Sequence, residues 1–437
     1  MNPLEGIAKP FKIYELRKRI LFTLGMIAIY RVGSFIPSLG VNPIAFQEFF
    51  QRFRGTMAGL ANIFTGGALE RFSIFALGIM PYISASIIMS LMVHIAPSLE
   101  KIQKEGGEEG RRKITQYTRY LTVVISIIQS FGISIWLETV PHHIPIVPYP
   151  GLGFKLMTVI VMSTGALFVM WLGEQITERG IGNGASILIF ASIITAIPPG
   201  FVTTMQGILT GQMNVVAGIL LFVVVLLIIA GVVIMIQGHR KISVQYAKRI
   251  VGRRVYGGQS SYLPMQINMA GVIPIIFASS ILTFPATIGA FFGPSLFDWI
   301  FYIPGWIRGS FWNLLYAGLT IFFVYFYISI IFNPNDVADN LRKSGGFVPG
   351  IRPGKPTADY LHLILNRITF VGAIFLAIIA ILPDIVLPSF HAPFYFGGTS
   401  ILIVVGVALD TLRQIESYLM MHHYEGFLKK ARIRGRF

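Results

Sequence analysis

Ten apolar stretches recur along the chain, at roughly 20–36, 72–95, 120–137, 153–172, 184–197, 215–237, 265–292, 310–332, 368–387 and 399–419. Runs of about 20 apolar residues match a hydrocarbon core of about 30 Å, so the pattern predicts ten transmembrane helices. The polar segments between them alternate, the N-terminus and every second loop being rich in Lys and Arg. On that alternation 29 of the 35 basic residues fall on one side. Cytoplasmic loops carry the excess of Lys and Arg. The chain is therefore expected to be a multi-pass protein of the cytoplasmic membrane with both termini in the cytoplasm. The first apolar stretch follows a basic segment, as a signal peptide would. It lacks a small-x-small exit before Pro37 and nine more stretches follow, so it reads as a retained helix.

Several segments depart from a plain row of spans. Residues 1–19 mix Phe11, Tyr14 and Leu16 with Lys and Arg, which predicts an amphipathic segment lying on the membrane. The external stretch 37–71 is too polar to span, yet it runs into GLANIFTGGALERF (Gly59–Phe72), broken by Gly66-Gly67. A re-entrant half-helix fits that run, because irregular backbone at membrane depth is tolerated inside protein or beside water. An ordinary external loop helix fits it as well. Gly78 and Pro81 interrupt the second span, and Gly184 and Pro198-Pro199 confine the fifth to about 14 residues. Such interrupted spans point to a central pathway. Five spans lie on either side of a junction near Gly200–Asn214, so the second half must sit inverted, although no residue-level repeat accompanies the count.

Two of the basic loops are long. In 238–264, Ile242, Val244 and Tyr246 alternate with polar residues before Gly257-Gly258, predicting a protruding hairpin. In 333–366, Gly345-Gly346 and the Pro349–Pro356 cluster predict an extended loop between two short helices. Both are longer than orientation requires; they are docking surfaces or solvated topogenic loops.

A composition 54% apolar and 12% charged excludes a soluble domain, whose charged share is nearer a quarter. The net charge of +16 is explained first by topology, and it suits acidic lipid head groups or an RNA-rich partner; no DNA is expected. With no cysteine there are no disulfides, thiolate metal sites or cysteine nucleophiles. Charged residues near the spans reduce to Arg31, Asp384 and Asp410, all close to span ends. The adjacent pairs His142-His143 and His422-His423 lack the three- or four-residue spacing of helical metal ligands. The glycines of Gly180–Gly184 follow no strand and precede no Lys-Ser/Thr, so they read as a tight turn and not a phosphate loop. No catalytic residue, metal site or cofactor is expected; what remains is a passive pore.

SIFALGIMPYISASIIMSL (Ser73–Leu91) and WLGEQITERGIGNGASILI (Trp171–Ile189) closely resemble the two signature regions of the SecY family, main subunits of bacterial protein translocation channels. VGSFIPSLG (Val32–Gly40), KEGGEEGRRKITQYTRY (Lys104–Tyr120), NMAGVIPIIFASSILTFPATI (Asn268–Ile288), GGFVPGIRPGKPTADYL (Gly345–Leu361) and TLRQIESYLMMHHYEGFLKKA (Thr411–Ala431) match in order, so the resemblance covers nearly the whole chain. It implies an all-α fold of ten transmembrane helices in two inverted five-helix halves, 1–205 and 206–437, around a central hourglass pore. It implies a pore ring of Ile79, Ile83, Ile189, Ile276 and Ile403, whose stiff side chains seal around a passing chain without binding it. The plug implied is about 59–72, with Leu60, Asn62, Ile63, Phe64, Gly66, Gly67 and Leu69. A lateral gate would run along Ser86, Ser90, Ser279 and Thr283, releasing signal sequences and membrane segments into lipid. Arg253, Arg254 and Arg352 would dock the ribosome or the SecA motor. SecE and SecG would complete the complex, with secretory preproteins or nascent chains as cargo. Two positions depart from the family pattern: Ala185 follows the GNG motif where many relatives carry isoleucine, and Ser90 stands where glutamine is usual.

Two other classes give different expectations. An inverted-repeat secondary transporter would bury carboxylates near the midplane. An intramembrane protease would face two aspartates, or a serine and a histidine, inside its spans. The sequence has neither arrangement.

Overall fold

The computed structural model describes residues 13–51, 57–139, 145–211, 213–246, 249–251, 254–256, 260–292, 305–389 and 398–432. Helices fall on all ten predicted spans. Helix α1 (Tyr14–Gly33) is the first, followed on the opposite side by α2 (Pro43–Gln51) and α3 (Met57–Phe64). The second span is α4 (Met80–Ile95), which turns through 102° into α5 (Pro97–Glu105). Helices α6 (Gly107–Thr139), α7 (Leu152–Arg179) and α8 (Gly184–Ile194) follow, then α9 (Ile197–Leu209) and α10 (Val215–Gln237). Strands β1 (His239–Tyr246), β2 (Arg249–Val251), β3 (Arg254–Tyr256) and β4 (Ser260–Gln266) lead to α11 (Ile273–Phe292) and α12 (Gly305–Ile331). After α13 (Pro334–Lys343) and β5 (Gly346–Phe347), the chain ends in α14 (Lys355–Ser389) and α15 (Gly398–Arg432).

Among the described residues six helical stretches are long and apolar enough to cross a membrane, or seven with the bent α4–α5 pair. Helices α1, α11 and α15 occupy the other three predicted spans. In α1 the basic run Arg17–Arg19 dilutes the apolar window.

The structure corrects several boundaries. Of the expected surface segment 1–19, residues 1–12 lie outside the described residues; from Tyr14 onward it is already α1, with Leu16 buried, so that part continues the span. The expected half-helix over Gly59–Phe72 is helical only to Phe64; turns follow, with Gly66 and Gly67 at φ of 65° and 82°. Gly78 and Pro81 do not interrupt a helix. Gly78 turns the chain at a φ of 54°, and Pro81 lies in the first turn of α4, where its missing N–H is no loss. The second short helix expected in 333–366 is the start of α14, continuous with the ninth span.

Helix packing depends on glycine at the tightest crossing. A Cβ on Gly184, at the start of α8, would overlap the Gly173 carbonyl on α7. Alanine ordinarily favours a helix, yet here it must push the two helices apart. Gly184→Ala is expected to lower stability by about 1–3 kcal/mol, while Gly153→Ala, with no atom within 4 Å of the added carbon, is expected to be neutral. Thermal unfolding of the purified complex checks this pair, and equal midpoints would refute it.

Two apolar cores result. The larger joins residues of α1, α4, α7, α8, α10, α11, α12, α14 and α15. The smaller sits on the opposite side, where Phe46, Phe49 and Phe50 of α2 pack with Phe72 and Leu137. On the basic-loop side, β1 and β4 form the expected hairpin, antiparallel from His239 opposite Gln266 to Gln245 opposite Ser260. Ile242 and Val244 point inward and Lys241 and Ser243 outward, as the alternation requires. Beyond the expectation, β5 adds to the far edge of β1 through Gln245 opposite Phe347 and Tyr246 opposite Gly346. The two long basic loops therefore share one sheet.

Candidate functional site

Helix α8 works as a ruler for the site. Asn183, Ala185, Ser186 and Ile189 line a cavity of about 440 Å³, whereas Ser192, one turn further, touches residues after α3. At 1.5 Å per residue, the open cavity and the capping segment are separated by only about 5 Å of helix, and Ile189 fills that interval. Ile83 of α4 and Ile276 of α11 line the same cavity, so three implied ring residues meet at its wall. Ile79 and Ile403 are buried in the same apolar core without lining the cavity. Ile79 packs over Gly173, where an added Cβ would sit 3.4 Å from its Cδ1. Ala185 borders the cavity, so the missing isoleucine leaves space there.

The cavity wall changes character away from the isoleucines. Ser86, Ser90, Thr115, Thr177 and Asn183 are polar, and Arg119 Nε pairs with Glu174 Oε1 at 2.7 Å. The wall of the cavity thus carries polar side chains on one part and isoleucines on another.

Residues 62–72 are closely knotted. Asn62 and Glu70 bond twice, Asn62 Nδ2 to Glu70 Oε2 at 3.1 Å and Glu70 N to Asn62 Oδ1 at 2.9 Å. The Gly67 amide donates to the Asn62 carbonyl at 2.9 Å, and the Leu69 amide to Thr65 Oγ1 at 3.2 Å. Phe64 is buried, Ile63 packs on the larger core and Leu69 on the smaller, so the segment bridges both. Leu60 lies in α3, its side chain outside the described residues. Two residues of α1 hold the knot from outside: the Tyr30 hydroxyl donates to the Thr65 carbonyl at 3.1 Å, and Arg31 Nη1 to the Gly66 carbonyl at 2.8 Å. Tyr30 and Ser192 escaped the sequence reading, since a lone Tyr or Ser in an apolar span carries no signal; Arg31 carried one as a charge at a span end.

The implied gate residues lie on α4 and α11, and α11 packs against both α4 and α6. Ser86 and Ser90 are half-buried, and the Ser90 hydroxyl donates to the Ser86 carbonyl at 2.8 Å. Ser279 Oγ donates to the Ile276 carbonyl at 2.9 Å. Thr283 lies in α11, its side chain outside the described residues. Ser86, Ser90, His94 and Gln103 line a second cavity of about 220 Å³.

The glycine run after α7 is a turn, and its amides are already engaged. Ile181 N donates to Thr23 Oγ1 at 3.1 Å, Gly182 N to Gln414 Oε1 at 2.7 Å and Gly184 N to Thr177 Oγ1 at 2.9 Å. Those three amides are not free to hold a phosphate. Of the three arginines that the resemblance implies for docking, Arg352 is exposed before α14; Arg254 lies in β3 with its side chain undescribed, and Arg253 lies outside the described residues.

A family model described as SecY matches residues 73–412. The protein translocase subunit SecY of Escherichia coli (strain K12) is 48% identical over 424 residues, 96% of each chain. That of Thermotoga maritima is 45% identical over 441 residues, 99% of each. The fold matches a solved SecY structure, whose plug domain is described as stabilising the closed state and maintaining a membrane seal. That match has a TM-score of 0.65 at 17% identity, covering 94% of this chain and 96% of that one. Matched over most of its length by the family model and over nearly all of it by these relatives, the chain belongs to the SecY family.

Proposed function

We propose that the chain is the protein-conducting subunit of a translocase in the cytoplasmic membrane, with both termini in the cytoplasm. It moves unfolded secretory polypeptides across the membrane and releases membrane segments sideways between α4 and α11. One observation carries this reading: along α8 a cavity of mixed polar and apolar lining, a buried isoleucine and a tethered segment follow one another. A channel for unfolded chains needs this order, because its seal must close on itself when empty and open without releasing ions. The halves 1–205 and 206–437 are the bodies that part at the gate. Ile79, Ile83, Ile189, Ile276 and Ile403 form the ring, and residues 59–72 are the plug. The chain supplies no catalytic group. Energy comes from SecA or the ribosome, docked on the two long basic loops through Arg253, Arg254 and Arg352, and SecE and SecG complete the complex.

The experiment follows the plug. A cysteine at Phe64 and another on the external tail of SecE are expected to crosslink in channels engaged with a preprotein and not in idle ones. The chain has no cysteine of its own, so the background is clean. Equal crosslinking in idle channels would make 59–72 a mobile external loop.

A further inference from the structure

Three short contacts meet at two buried hydroxyls. Tyr30 Oη lies 3.1 Å from the Thr65 carbonyl and 2.9 Å from Ser192 Oγ, and Ser192 Oγ lies 2.9 Å from the Leu188 carbonyl. Tyr30 is 1% exposed and Ser192 fully buried. Each hydroxyl has one proton to donate, and carbonyls only accept. Three contacts therefore share two protons, and one contact is unmade in every arrangement.

Two arrangements keep a proton between the two hydroxyls, each at the cost of one hydroxyl–carbonyl contact. In the first, Ser192 donates to Tyr30, and Tyr30 donates to the Thr65 carbonyl. In the second, Tyr30 donates to Ser192, and Ser192 donates to the Leu188 carbonyl of its own helix. The third, with both hydroxyls donating to carbonyls, leaves two oxygens facing each other at 2.9 Å without a proton between them. The first arrangement holds the segment after α3. The second satisfies both hydroxyls without that segment, so its departure strands no buried O–H.

We propose that Tyr30 and Ser192 form a two-position hydroxyl switch that latches residues 59–72 and lets them go. The inference rests on reading that segment as the plug. The backbone of the plug lies directly on the switch: a Cβ on Gly66 would sit 3.1 Å from Ser192 Cα and 2.7 Å from Arg31 Nη1. Tyr30 and Ser192 are positioning residues, acting on the seal through the plug and touching no cargo.

The switch requires opposite signs from two small changes. Tyr30→Phe keeps the ring stacked on Phe75 at 6.1 Å and removes only the hydroxyl. Amide hydrogen exchange of 59–72, measured by mass spectrometry on the full idle complex in lipid vesicles, is then expected to rise about fivefold, the effect of one hydrogen bond. Ser192→Ala removes the competing acceptor and commits the Tyr30 proton to Thr65, so exchange is expected to fall below wild type. The double variant is expected to match Tyr30→Phe, since Ser192 acts through Tyr30 alone. Faster exchange in Ser192→Ala, or unchanged exchange in Tyr30→Phe, would overturn the switch. A channel lacking 59–72 separates the two ideas. If its idle ion conductance rises while exchange ignores both substitutions, the latch fails and the plug stands. If conductance is unchanged while exchange follows both signs, the latch stands and the sealing role fails.

Discussion

Ile403→Asn is expected to make the idle channel leak ions and accept preproteins with defective signal sequences, and Ile83→Asn to do the same more weakly. Ile403 is fully buried and Ile83 is 6% exposed, both in the core that joins α4, α8, α11 and α15. In the sealed state asparagine gives up the burial of an isoleucine side chain and brings an amide without a partner. Together these cost about 2–3 kcal/mol. The open state is hydrated around the same position and loses little. The difference shifts the closed–open balance toward open on the order of thirty- to a hundredfold. Single-channel conductance in planar bilayers measures the leak, and export of a reporter with a crippled signal measures the lost stringency. Unchanged values in both variants, at unchanged abundance, would remove these isoleucines from the seal.

What could be read along the chain depended on whether the physics was local. Spans were legible because membrane thickness imposes length and hydropathy on each segment separately. The hairpin β1–β4 was legible because Ile242 and Val244 alternate with outward-facing neighbours. Helix ends were less so. Helix α6 starts at Gly107, thirteen residues before the apolar run at 120, because a helix continues through polar sequence once water replaces lipid. The addition of β5 to β1 was invisible, since two residues about a hundred positions away leave no periodicity. The isoleucines illustrate the same limit at the site. In IPIIFASSI of α11 nothing local separates Ile276 from Ile273 or Ile275, and Ile275 is even more deeply buried. Resemblance to the family selected Ile276, and the fold then placed it on the cavity wall. Tyr30 and Ser192 had neither a pattern nor a motif to mark them.

Arg352→Lys is expected to cut SecA-driven export by about tenfold or more, and Arg352→Glu further, with insertion and abundance intact in both. The loop holds this side chain out on a stiff support. Gly350 and Gly354 turn the chain at φ of 81° and 101°, the Arg352 carbonyl accepts from Thr357 Oγ1 at 2.8 Å, and β5 fastens the loop to β1. Among the described residues the Arg352 guanidinium makes no hydrogen bond or ion pair, and the residue is exposed. A preset backbone with a free guanidinium loses little entropy on docking. If the residue only set topology, lysine would serve equally, because that rule counts charge and not shape. A bidentate pair with a carboxylate or phosphate needs the planar fork, which an ammonium lacks. Preprotein uptake into inverted vesicles with SecA and ATP distinguishes the two: uptake at the normal rate by the lysine variant would reduce Arg352 to a topogenic charge, whereas loss of uptake with the complex fully assembled identifies a docking contact.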